Sequence, residues 1–195
     1  MLDDLDLGGE FFALLVRADE AVTLRVAAAG CPRCRGPLHR SDYARKPRGA
    51  LIAPLGEALV RRFSLCCGRE GCRKRATPPS VLFLGRRVYL GAVVIVASMV
   101  ALALRAASEI RRQTGVPART TRRWLGWWQG PFLDTETFVT VCARLIGVEV
   151  GRVPESIVGQ LGGSWTERVR SMLGWLAPLT TGSVPDGARF SRGTV

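Results

Sequence analysis

Lysine and histidine are nearly missing from this sequence. Two of its 28 basic residues are lysine, and His39 is its one histidine. No glycine-rich phosphate loop, nucleophile elbow or kinase signature is present, which removes the usual sequence marks of nucleotide-dependent and acyl-transfer enzymes. No internal repeat is found. The opening MLDDLDLGGEFF is acidic and lacks the basic n-region of a secretory signal, and nothing resembles a lipidation motif. Export is therefore not expected. The cysteines read as metal ligands rather than disulfide partners, and a cytoplasmic location is expected. Long apolar runs are also scarce. The longest, Val88 to Leu104, is uncharged for 17 residues. That is at the short limit for crossing a bilayer and ordinary for a buried core helix. The core helix is the preferred reading.

What the sequence does have is localised positive charge. The formal net charge is +12. Residues 1–30 carry two basic and six acidic side chains, and residues 31–75 carry twelve basic and three acidic. Residues 86–130 carry eight basic and one acidic, while 131–195 carry six of each. Charge concentrated this way points to a polyanion, either nucleic acid or an anionic membrane. The plainer alternative is a solvated arginine-rich surface.

The first basic block holds the cysteines. Cys31-Pro-Arg-Cys34 is followed by Gly36, and Cys66, Cys67 and Cys72 lie in RFSLCCGREGCRKRATPPS. A two-residue spacing lets both thiolates face one ion at a tight turn. Zinc takes four such ligands in a tetrahedron. The set Cys31, Cys34, Cys67 and Cys72 is expected to form a zinc ribbon. Cys66 and Cys67 are neighbours on a strand and point to opposite faces, so one alone can face the metal. Cys67 is preferred, with Cys66 the alternative, because Gly68 eases the turn toward Cys72. The 32 residues between Cys34 and Cys67 exceed the usual gap of about 15–20. His39 is either a substitute ligand or a surface residue beside Arg40. A site of four thiolates is closed, hence structural. Cys142, alone in an apolar segment, reads as packing.

The second basic block reads as a helix-turn-helix. Residues 106–114 continue the apolar helix, GVP at 115–117 breaks it, and 118–128 form a second helix. Ile110, Val116, Thr121 and Trp124 fall at inward positions. Arg119, Thr120, Arg122 and Arg123 lie on the outer part of the second helix, whose early residues reach base edges in this motif. Arginine bonds guanine bidentately and also neutralises phosphate. Arg119 and Arg122 are expected toward bases and Arg123 toward phosphate or base. Arg61, Arg62, Arg73, Lys74 and Arg75 are expected toward phosphate. An ordinary helical hairpin with a cationic face is the alternative. Trp124, Trp127 and Trp128 share a face and read as core.

Around these motifs, 10–29 read as helix ending at Gly30, with VTLRV as a possible strand. RFSL reads as a strand entering the second cysteine cluster. Thr135 opens an amphipathic helix using Phe138, Val141, Leu145 and Ile146. Ser164 and Glu167 form a capping box. The expected division is a helical segment 1–30, a ribbon 31–80, a buried helix plus helix-turn-helix 81–130, a helical segment 131–180 and a disordered tail 181–195. The expected fold class is mostly α with a small β zinc ribbon.

CPRC, RFSLCCGREGCRKRATPPS, the apolar helix and GVPARTTRRWLGWW together resemble the amino-terminal region of bacterial insertion-sequence transposases and their companion proteins. The resemblance covers about residues 30–130. It implies a cysteine zinc ribbon with a helix-turn-helix, and binding to double-stranded DNA. Three positions depart from the pattern: Arg111 replaces a small residue, Thr114 a leucine and Pro117 a serine cap. The carboxylates after residue 131 sit at helix starts and surfaces, and those residues read as two or three helices rather than a nuclease fold, so an enzyme is not expected. The function expected is a non-catalytic, transposase-like DNA-binding protein. The alternatives are a single-span membrane protein with a cytoplasmic ribbon, and a ribbon that binds another protein, such as a transposase, through 131–180.

Overall fold

A computed structural model describes residues 5–45, 47, 60–84, 89–104 and 106–181. Most of the connector 51–60 and of the tail from 181 onward lies outside the described residues. Among the described residues the chain is mostly helical with two small antiparallel sheets. Helix α1 spans Gly9–Ala29 and stops at Gly30, which sits at φ 77° where a side chain is disfavoured. VTLRV is therefore helix. Strands β1 (Leu38–Arg40), β4 (Leu65–Cys67) and β5 (Arg75–Ala76) form one sheet in the order β1-β4-β5. Strands β2 (Tyr43–Ala44) and β3 (Arg61–Arg62) pair separately. Helices α2 (Gly91–Ala103), α3 (Ala107–Thr114), α4 (Ala118–Trp128), α5 (Glu136–Cys142), α6 (Glu155–Val158) and α7 (Trp165–Leu176) follow.

Helix α2 is the centre of the molecule. Every residue from Gly91 to Val100 is buried, and α3, α4, α6 and α7 all pack against it. A helix apolar all round has to be surrounded, and here protein surrounds it. Gly91 permits the approach of α7, since a Cβ there would meet Leu173 Cδ2 at 2.6 Å. The indole N–H of Trp128 donates to Ser98 Oγ at 3.1 Å, and Ser98 Oγ donates back to Val94 O at 2.7 Å. The side-chain polar atoms of Trp128 and Ser98 are thereby satisfied. Among the described residues no helix is long and apolar enough to cross a membrane.

Three expected elements differ. Residues 106–114 do not continue α2: Leu104 (φ −108°, ψ 133°) and Ala106 (φ −80°, ψ 120°) are extended, so α3 turns back onto α2. RFSL is not one strand. Ser64 N donates to Asp42 Oδ1 at 3.0 Å instead of to a neighbouring strand, and the run divides into β3, which pairs with β2, and β4, which pairs with β1 and β5. Helix α5 starts as expected, with Thr135 Oγ1 accepting from Phe138 N at 3.1 Å, but it ends at Cys142. Ile146 lies beyond it, 93% exposed. The Ser164 capping box on α7 forms as expected.

Helix α1 joins two cores. Phe11, Phe12, Leu15 and Ala18 pack into the core around α2, while Val22 and Val26 pack on Leu65 and Ala76 of the small sheet. Between them sits a buried polar junction. Asp19 Oδ1 accepts from Val81 N at 2.7 Å, and Oδ2 accepts from the Ser80 hydroxyl. Ser80 Oγ in turn accepts from Leu82 N and Phe83 N at 3.2 and 3.0 Å. Arg62 faces this carboxylate and donates to Pro78 O at 2.5 Å. Burial raises the Asp19 carboxyl to about 6, against the opposing influence of Ser80, Arg62 and the Val81 N–H.

Candidate metal centre and cationic faces

The first cysteine pair sits on a turn closed by Arg35 N to Cys31 O at 2.8 Å and Cys31 N to Gly36 O at 2.9 Å. Arg35 adopts φ 58° to make it. The second pair spans Cys67 to Cys72, where Gly71 at φ 77° turns the chain back and Cys72 N donates to Arg69 O at 3.1 Å. Antiparallel pairing of β1 with β4 and the bond from Gly68 N to Pro37 O, 2.9 Å, bring the two turns face to face. Gly36 lets the backbone pass the sulfurs: a Cβ there would lie 3.3 Å from Cys34 Sγ and 3.4 Å from Cys67 Sγ.

The sulfurs of Cys31, Cys34, Cys67 and Cys72 all lie within 4.8 Å of one another. Cys31 and Cys72 are 3.8 Å apart, Cys34 and Cys67 3.5 Å. A tetrahedron with metal–sulfur bonds of about 2.3 Å has edges of about 3.8 Å. The four side chains therefore fit a metal ion. Burial opposes ionisation of Cys31, but the N–H groups of Arg33 and Cys34 outweigh it and bring the thiol down to about 7. The Gly36 N–H lowers Cys34. The Arg69 N–H favours the Cys67 thiolate, yet burial and the adjoining sulfurs hold that thiol up at about 12. Sulfurs this close cannot all be anions unaided, and a cation between them removes the conflict.

Strand register separates Cys66 from the cluster. Cys67 lies opposite Leu38, and Cys66 opposite His39 and Arg75 on the other face. Cys66 Sγ contacts Arg73 O at 3.5 Å instead. His39 is exposed and no member of the cluster. The long insert leaves the ribbon between β2 and β3, whose pairing ties its ends.

Arg61, Arg73 and Lys74 are exposed on the ribbon, as are Arg33, Arg35 and Arg69, which the motif reading did not single out. Arg75 is exposed too, but its guanidinium donates to Ser41 O and Ser64 Oγ at 3.2 and 3.0 Å. Arg62 is a correction. It is 2% exposed and spent on Pro78 O and the Asp19 field, so it cannot reach a phosphate. The signal for this partner was Asp19 itself, a carboxylate between Leu15 and Val22 on the apolar face of α1.

Helices α3 and α4 are joined by Gly115-Val116-Pro117, with Gly115 at φ 64°. Ile110, Val116, Thr121 and Trp124 are buried, as their spacing implied. Trp128 is buried as well, and Trp127 packs on it and on Phe132. Thr114 fits where leucine was expected because its hydroxyl donates to Ile110 O and accepts from Val116 N. Pro117 replaces a side-chain cap with its carbonyl, which accepts from Thr120 N at 2.8 Å. Arg119, Arg122 and Arg123 are exposed on the outer face of α4, with Thr120 half-buried beside them. Arg111 is exposed on α3, while Arg112 is paired to Glu109. Comparison of the chain with protein-family models, curated proteins and solved structures found no match in any of the three.

Proposed function

We infer that this chain is a zinc-stabilised, non-catalytic protein that binds double-stranded DNA through α4. The observation that carries the reading is the division of α4 into two faces. Thr121, Trp124 and Trp128 anchor it to the core, and Arg119, Arg122 and Arg123 stand in solvent along its first two turns. A rigid helix presenting guanidinium groups from its early positions suits the major groove. The exposed ribbon cations Arg61, Arg73 and Lys74 would add phosphate contacts and salt dependence. Zinc is the metal of choice for four thiolates in a tetrahedron, and its role here is to hold the ribbon folded. The resemblance to insertion-sequence transposases and their companions makes the ends of such elements the first natural DNA to try.

Selection from a random duplex pool at two salt concentrations tests this. An enriched motif that survives the higher salt is expected. Arg122→Ala should relax preference at one position, by about 1–3 kcal/mol. Lys74→Ala should weaken binding to all sequences alike and reduce the salt slope by about one. Absence of binding at either salt would overturn the reading and favour a protein partner for the ribbon.

A further inference from the structure

Two glycines near α4 answer to the chain itself. Gly115 takes φ 64° to join α3 to α4, and Gly91 keeps a Cβ out of Leu173. Gly126 does neither. It lies inside α4 in helical backbone, and a Cβ built on it would meet nothing within 4 Å. Glycine is the poorest former of a helix interior after proline, so alanine would hold α4 better at this position. Among the described residues nothing calls for the missing side chain. What it leaves room for therefore comes from outside. Resting on the reading of α4 as the DNA-contacting helix, we propose that Gly126 is where α4 comes closest to the duplex, and that α4 lies lengthwise in the major groove instead of entering it by its first turn alone.

Arg119, Arg122, Arg123 and Gly126 follow the i, i+3, i+4, i+7 spacing of one helix face, and all four are exposed. That face is opposite Thr121, Trp124 and Trp128, which hold the helix to the core. The arginines stand one and two turns before Gly126. Past it the face stays low: Gln129 Nε2 is tied to Gly151 O at 2.8 Å, and residue 130 is again glycine. Charge selects the occupant. Helix α4 contains no acidic residue, and no carboxylate among the described residues pairs with the three arginines. A surface that settles against bare backbone beside these cations is polyanionic and concave, and the major groove is both. The seven-residue step from Arg119 to Gly126 is about 10 Å of helix. Tip-first entry would leave Gly126 clear of the DNA, where a side chain costs nothing. Lengthwise docking brings backbone to the groove there, and glycine alone permits that approach.

The test uses the full zinc-loaded chain and has two readouts: fluorescence anisotropy with a labelled duplex taken from the random-pool selection, and thermal melting of the free protein followed by helical circular dichroism. Gly126→Ala should raise the melting temperature by about 1–4 °C and weaken duplex binding about tenfold. Gly126→Leu should weaken binding further with the fold intact. The opposite signs are the signature, because a glycine that only served the fold would lower stability when replaced. Gly126→Ala binding the selected duplex as tightly as wild type would overturn the lengthwise docking and leave DNA binding by α4 standing. A fall in melting temperature would show that the chain itself needs the glycine, and would overturn the inference as well. A wild-type chain that binds no duplex at low salt would overturn the DNA-binding reading and this docking with it.

Discussion

The ribbon and the helical body fold by different means. Among the described residues, the core around α2 gathers thirty buried residues, whereas the ribbon sheet and the end of α1 share four: Val22, Val26, Leu65 and Ala76. Burial on that small scale does not offset the entropy of ordering the ribbon's turns. An ion held by the four sulfurs would supply the remainder. The body needs no such aid, because α2 is covered by helices on all sides.

The sharpest way to break this comparison is to remove the metal. A strong chelator, or Cys67→Ser, should unfold the ribbon while most helical circular dichroism persists. The loss is of the order of the 10 kcal/mol typical of structural zinc. Metal analysis should find one ion per chain beforehand and none after. A single transition that melts ribbon and helices together would show that the two regions are one cooperative unit.

The junction at Asp19 comes next, since it ties the regions together. Asp19→Ala leaves Arg62 without its anion and Val81 N–H without its acceptor, at a cost of about 3 kcal/mol. Its titration has a definite sign. The folded carboxyl, raised to about 6 from an ordinary 3.8, binds its proton more tightly than the unfolded one. On this group's account stability is highest below about 4 and falls as pH rises to about 6, by the order of 3 kcal/mol. The cysteine site acts oppositely, because acid protonates the thiolates and releases metal. Denaturation of wild type and Asp19→Asn across this range separates the two: the variant should lack the carboxyl's slope and keep the metal's.

Smaller effects sharpen the contrast within each region. Ser98→Ala should cost the body about 1–3 kcal/mol by stranding the Trp128 indole N–H, measured by urea denaturation followed by tryptophan fluorescence. Cys66→Ser should leave metal stoichiometry unchanged and stability within about 0.5 kcal/mol, because its sulfur lies on the face away from the cluster.

Local chemistry carried much of this fold in the sequence. Gly30 at a helix end, Gly115 between two helices, Ser164 three residues before Glu167 and paired cysteines beside glycines each act through near neighbours in the chain. Their positions could therefore be read directly. So could the inward set Ile110, Val116, Thr121 and Trp124, because helical spacing alone puts them on one side. Alternation reduced the choice of third ligand to Cys66 or Cys67.

Long-range pairing decided the rest. Only the register of β4 between β1 and β5 turned Cys67 inward and Cys66 out. Only the packing of α1 across two cores buried Arg62, which local sequence presents as one more cation beside Arg61. Whether the apolar helix Gly91–Ala103 met lipid or protein depended on α3, α4, α6 and α7 closing around it, since hydropathy measures the tendency to leave water and not the surface that receives it.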